Sequence, residues 1–121
     1  MTYVSTHRSP FYPGTGLVSR GNILNRPVAP GTPRHEVFDW LRAAVASVPK
    51  PDVVLVSCGF DAYEGDPIGG LGWKPEDYGT LTRLLPDARI ISVLEGGYSL
   101  GGLGPCAEAH VSALAERESA R

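Results

Sequence analysis

The chain has 121 residues, 42% of them hydrophobic, and a formal net charge of −2, which suits one domain around one core and leaves no room for a second. Its eleven Lys and Arg are scattered among thirteen Asp and Glu, with no basic stripe, so direct nucleic-acid binding is disfavoured. No apolar run approaches the ~18 residues of a membrane span, and the start MTYVSTHRSP lacks the apolar centre of a signal peptide, so the chain reads as a cytoplasmic protein that meets no membrane.

In chain order, Thr2 to Thr6 predicts a short strand. Residues 7–16 form a Pro/Gly-punctuated loop carrying His7, Phe11 and Tyr12, whose aromatics either pack onto the core or wall a pocket. Gly21 to Val28 reads as a further extended segment, followed by a turn over 29–33. Residues 34–48 space Val37, Trp40, Leu41, Ala44, Val45 and Val48 three and four apart, the stripe of a helix lying on a sheet. Pro49 and Pro51 end it.

Val53-Val54-Leu55-Val56 is a continuous β-branched run and predicts a strand buried on both faces of a parallel sheet. A loop with Asp61, Glu64 and Asp66 follows. Lys74-Pro75-Glu76-Asp77 opens a helix with Tyr78, Leu81, Leu84 and Leu85 on its buried face. Ala88 to Leu94 is a second β-branched strand, Glu95-Gly96-Gly97-Tyr98 its exit loop, and 105–117 the closing helix. Strand and helix in alternation predict an α/β domain with a parallel sheet and right-handed crossovers. Cys58 and Cys106 show neither a disulfide framework nor a thiolate metal pattern and read as small buried hydrophobes.

In such a sheet, ligands bind at the carboxyl ends of the strands. There Asp61 is either a hard anionic metal ligand or a brace of its own loop. Tyr98 can give its hydroxyl proton to a developing oxyanion, and Gly96 and Gly97 let backbone and substrate approach closely. Glu64 and Asp66 read as turn residues beside Gly65 and Pro67. His35 and His110 fall in helices as solvated or packed residues, and His7, on a strand-end loop, is the better placed histidine for a ligand.

Three stretches then carry a specific likeness: Phe11-Tyr12-Pro13-Gly14-Thr15-Gly16, Val54 through Leu71 around Gly59-Phe60-Asp61-Ala62, and Leu94-Glu95-Gly96-Gly97-Tyr98. In this order they resemble three successive signatures of the histone deacetylase family, nearest its class II and acetoin-utilisation-like members. The resemblance runs over nearly all of 1–121 and implies one domain matching the carboxyl-terminal half of a three-layer αβα, arginase/deacetylase-like fold. It implies a zinc-dependent hydrolase of acetyl-lysine or related acetylated amides. Asp61 takes the position of a zinc ligand, and Tyr98 that of the tyrosine polarising the amide carbonyl. Tyr12, Ile68, Gly96 and Gly97 fall on the acyl-lysine tunnel, and Ser5 and Thr6 on a monovalent cation site, potassium being the candidate.

The family pattern also calls for an Asp-x-His pair that completes the zinc site and a His-His pair that serves as base. The 121 residues contain neither. The expectation is therefore that the chain works with a separate amino-terminal half or self-associates, most simply as a two-fold dimer, and is inactive alone. The alternative is a non-catalytic remnant or a stand-alone binding domain.

Overall fold

The computed structural model of the chain describes residues 1–120. The elements run β1 (Tyr3–Arg8), β2 (Ile23–Val28), α1 (Arg34–Ser47), β3 (Val53–Cys58), α2 (Pro75–Leu84), β4 (Arg89–Leu94) and α3 (Leu100–Ser119). Every strand expected from the sequence forms, and the extended segment ending at Val28 is a full strand. It pairs in parallel with β1, Tyr3 against Ile23 through Arg8 against Val28. Pro27 is tolerated because β2 pairs on one side only, so its missing N–H interrupts no second ladder. That pairing also draws His7 and Arg8 out of the expected loop and into the strand.

The four strands pair two by two, not as one sheet: β1 with β2, and β3 with β4, both parallel. In the second pair Val53 faces Arg89 and Cys58 faces Leu94, with α2 as the crossover. Contrary to the expectation from its apolar run, β3 is not buried on both faces. Partner residues of a parallel pair share a face, and Leu55 with Ile91 and Val53 with Val93 lie on the open one, 72, 54, 45 and 55% exposed. A parallel sheet normally has helices on both faces. Among the described residues only the face towards α2 and α3 is covered.

The core joins the strand ends to the helices: Val28, Val37, Cys58, Phe60, Trp73, Tyr78 and Cys106 are buried together. Phe38 meets Trp73 edge-on at 5.3 Å, and Phe60 meets Tyr78 at 4.9 Å between ring centroids, the edge-to-face geometry that aromatic quadrupoles favour. Both cysteines are free and buried. Burial, helped by the nearby Asp77 and Glu76 carboxylates, pushes the Cys106 thiol up to about 11, so it packs as an apolar side chain.

α3 starts five residues before the expected Gly104–Pro105 boundary, because Ser99 caps it by accepting the Gly102 N–H at 3.0 Å. α2 begins at Pro75, as its fixed φ allows. Asp77 closes that first turn by accepting the Lys74 N–H at 2.7 Å and also receives the Arg34 guanidinium, joining α1 to α2.

His110 of α3 is buried and links three elements. Thr82 Oγ1 donates to the Tyr78 carbonyl at 2.6 Å, which leaves it to accept from His110 Nδ1 at 2.7 Å; Ser92 Oγ then donates to Nε2 at 2.8 Å. This network assigns the neutral Nδ1–H tautomer. Burial lowers the His110 pKa from its ordinary 6.5. The unfolded chain therefore binds the proton more readily, so the stability from neutral His110 is present above about pH 6.5 and declines as pH falls below it. Thermal midpoints measured from pH 8 to pH 5 are expected to fall more for the native chain than for His110→Gln. Parallel curves for the two proteins would overturn the assignment.

Candidate functional site

The loops that leave β3 and β4 are zipped together beyond the strands. Glu95 N–H donates to the Cys58 carbonyl at 3.1 Å and Phe60 N–H to the Gly96 carbonyl at 2.9 Å. Phe60 is anchored in the core, so Asp61, the next residue, is delivered to the carboxyl end of the β3–β4 pair, where the sequence placed it.

Small residues make the seat of Asp61. A Cβ on Gly96 would lie 3.0–3.2 Å from its carboxyl carbon and oxygens, and one on Gly59 would lie 2.9 Å from Oδ1. On the main-chain side, Gly70 N–H donates to the Asp61 carbonyl at 2.7 Å, and a Cβ on Gly69 would stand 2.2 Å from that same oxygen. Gly69 is therefore required by the close approach of the Asp61 main chain, while a Cβ at Gly59 or Gly96 would crowd the Asp61 carboxylate itself. Gly97 adds a φ of +132°, a conformation open to glycine.

Two residues that sequence reasoning passed over help to build the site. Asp66, read as a turn residue, is 9% exposed. Its Oδ1 accepts the N–H groups of Ile68 and Gly69 at 2.9 and 2.8 Å, and its Oδ2 that of Tyr98 at 2.8 Å. Burial alone would raise its pKa, but the N–H groups of Tyr98, Gly69, Ile68 and Ser99 outweigh it and hold the carboxyl below the usual range. Arg8 donates to the carbonyls of Gly69 and Ile68, which ties the end of β1 to the Asp61 loop, and its guanidinium lies 5.2 Å from the Phe11 ring centroid. The signals available in sequence were only a Gly-Asp-Pro run and a strand-end arginine. Glu64 pairs with Lys74 at the surface.

Tyr12, Ile68 and Tyr98 are exposed at 89, 49 and 53%, so Tyr12 does not pack onto the core. Of the histidines, His35 is exposed, and His7 is engaged at both ring nitrogens. Nε2 donates to the Gly16 carbonyl at 2.8 Å, and Nδ1 accepts from Ser5 Oγ at 3.2 Å. The Ser5 hydroxyl proton is thus engaged by His7, which leaves its oxygen lone pairs free, while Thr6 Oγ1 is buried without a hydrogen-bond partner among the described residues.

A catalytic zinc takes three protein ligands and an open position. Among the described residues no three His, Cys, Asp or Glu side chains come together in a way that could hold a metal ion. Asp61 offers one carboxylate, and the donor set of these residues alone does not fit a complete zinc centre.

The histone deacetylase domain model matches residues 1–114. The chain belongs to the histone deacetylase family. An uncharacterised protein of Synechocystis sp. is 41% identical over 115 residues, covering 84% of this chain and 36% of that protein. Among solved structures, the HD domain of HDA15 superposes with a TM-score of 0.73 at 32% identity, and an acetylpolyamine aminohydrolase from Burkholderia pseudomallei with 0.76 at 26%. Each of those superpositions covers 93% of this chain and 37% of the other. The chain thus has the α/β fold of deacetylase-family domains and spans little more than a third of the length of these relatives. No described helix is long and apolar enough to cross a membrane.

Proposed function

We infer that this chain contributes Asp61 and Tyr98 to a deacetylase-type site that hydrolyses acetylated amines, acetyl-lysine or a related small acetamide. The observation that carries the reading is the seat of Asp61. Its carboxylate lies against Gly96, two residues before Tyr98, where a Cβ at Gly59 or Gly96 would press on the carboxylate and displace it. Asp61 is the residue that would hold a zinc ion together with ligands from another segment, and a metal so held would supply a Lewis acid to the site. The Tyr98 hydroxyl is the donor for the oxyanion, Tyr12 and Ile68 flank the acyl chain, and Thr6 with Ser5 is the candidate seat for potassium.

Two further metal ligands and a base have to come from another polypeptide segment. In this reading a separate amino-terminal half supplies them and covers the open face of Val53, Leu55, Ile91 and Val93. Two reduced, buried cysteines suit the cytoplasm. Light scattering on the purified chain at micromolar concentration separates the two covers: a dimer points to a second copy, and monomer alone rules that out in favour of the separate half.

The test is zinc content and turnover of an acetyl-lysine amide, measured on the chain alone and mixed with a family segment that carries the Asp-x-His and His-His pairs. Turnover is expected only in the mixture. Tyr98→Phe is expected to lower kcat by roughly 10²–10³-fold, the scale of one lost oxyanion donor, and Asp61→Ala to abolish zinc retention. A mixture that stays metal-free and inert rejects this reading in favour of a non-catalytic binding domain.

A further inference from the structure

We propose that Asp66 is a positioning residue that sets Tyr98 against Asp61, a role that rests on the reading of Tyr98 as oxyanion donor. Asp66 is 9% exposed, and an ionised carboxylate taken out of water persists only where hydrogen-bond donors replace the solvent. Asp66 faces backbone N–H groups from two separate loops. Ile68 and Gly69, two and three residues on, satisfy Oδ1, an arrangement any turn aspartate can make.

Oδ2 does something else. It accepts the N–H of Tyr98, 32 residues away on the loop after β4, at 2.8 Å. A turn has no need of that bond. Its effect is to lock the backbone nitrogen of Tyr98 to the loop that holds Asp61, since Gly69 and Gly70 on the same loop pack against and hydrogen bond to the Asp61 main chain. The neighbours of Tyr98 are held on either side, the Gly96 carbonyl by the Phe60 N–H and Ser99 as the cap of α3, while its own side chain is 53% exposed. One carboxylate thus couples the two residues that the proposed site requires, through charge-assisted bonds of the stronger class.

Asp66→Asn keeps the shape, but its amide –NH2 must replace one acceptor oxygen and confront at least one N–H. Amide exchange followed by NMR on the full chain is expected to show the Tyr98 amide exchanging at least tenfold faster in Asp66→Asn. The amides of the β3–β4 ladder should keep their rates. A Tyr98 amide that is unchanged while Ile68 and Gly69 respond reduces Asp66 to a local turn residue and overturns the proposal. Should Asp66→Asn fail to fold, the native chain decides: a trans-hydrogen-bond coupling between the Tyr98 amide nitrogen and the Asp66 carboxyl carbon supports the link, and its absence overturns it.

The kinetic arm uses a preparation in which the native protein turns over acetyl-lysine amide. Asp66→Asn is expected to lower kcat roughly ten- to a hundredfold with KM within twofold, the signature of a displaced group. It should add nothing in a Tyr98→Phe background, because it acts through Tyr98. A full, additive loss in the double variant overturns the proposal. A native protein with no turnover in any mixture sinks the deacetylase reading instead, and the exchange measurement still decides the Asp66–Tyr98 link.

Discussion

Phe60→Ala is expected to cost about 3–5 kcal/mol of folding stability, the range for a large aromatic deleted from a core. Phe60 is 5% exposed and touches each wall of the core: Tyr78 of α2 edge-on at 4.9 Å, His110 of α3 at 6.2 Å, and the buried Cys58 and Cys106 within the same cluster. These partners sit on different elements, so collapse around the missing ring would have to move helices. A domain of ordinary stability has about 5–15 kcal/mol in total, so the loss is a large share of it. Urea denaturation should show a much lower midpoint with the slope retained. A loss below about 1 kcal/mol would refute the central place given to this ring. Because Phe60 N–H also donates to Gly96 and the next residue is Asp61, the same substitution should loosen the site.

Gly69→Ala is the second large effect, and its cause is backbone crowding. The new methyl would stand 2.2 Å from the Asp61 carbonyl oxygen, 3.0 Å from its carbon and 3.2 Å from the Asp61 Cβ. None of these is the free end of a flexible side chain, and the crowded oxygen already accepts the Gly70 N–H. Relief requires the loop to move, which breaks the Asp66 bonds as well. The expected cost is about 1–3 kcal/mol or more. Gly104→Ala is the matched control. Its Cβ meets nothing within 4 Å and its position is helical, so it is expected to stabilise by about 0.4–1 kcal/mol through the unfolded chain. Both values come from one set of denaturation curves. Equal effects at the two glycines would contradict the crowding argument.

How much was legible in the sequence follows from the range of each interaction. Period and punctuation are local, so the α1 stripe around Val37, the β-branched runs of β3 and β4 and the proline-limited start of α2 could all be read directly. The start of α3 was missed because Gly101, Gly102 and Pro105 look like loop residues, whereas one serine side chain at the N-cap is enough to begin the helix there. Asp61 and Tyr98 were legible through motif residues, but their mutual placement depends on glycines whose necessity shows only where another strand's loop comes close. Arg8 and Asp66 were not legible as site builders. Their partners lie 61 and 32 residues away, and nothing local distinguishes a turn aspartate from one that also receives a remote amide.

The sequence by itself determined the order of strands and helices, the burial of the two cysteines and the family, since those rest on hydrophobic periodicity and on contiguous motif residues. Tertiary structure alone decided that the strands pair two by two, that one face of β3–β4 stands open, and that both ring nitrogens of His7 are occupied by Ser5 and Gly16. It also decided which carboxylate fastens Tyr98. Strand partners, open faces and hydrogen-bond acceptors belong to residues far apart in the chain, and their energies depend on the distance in space that only folding sets.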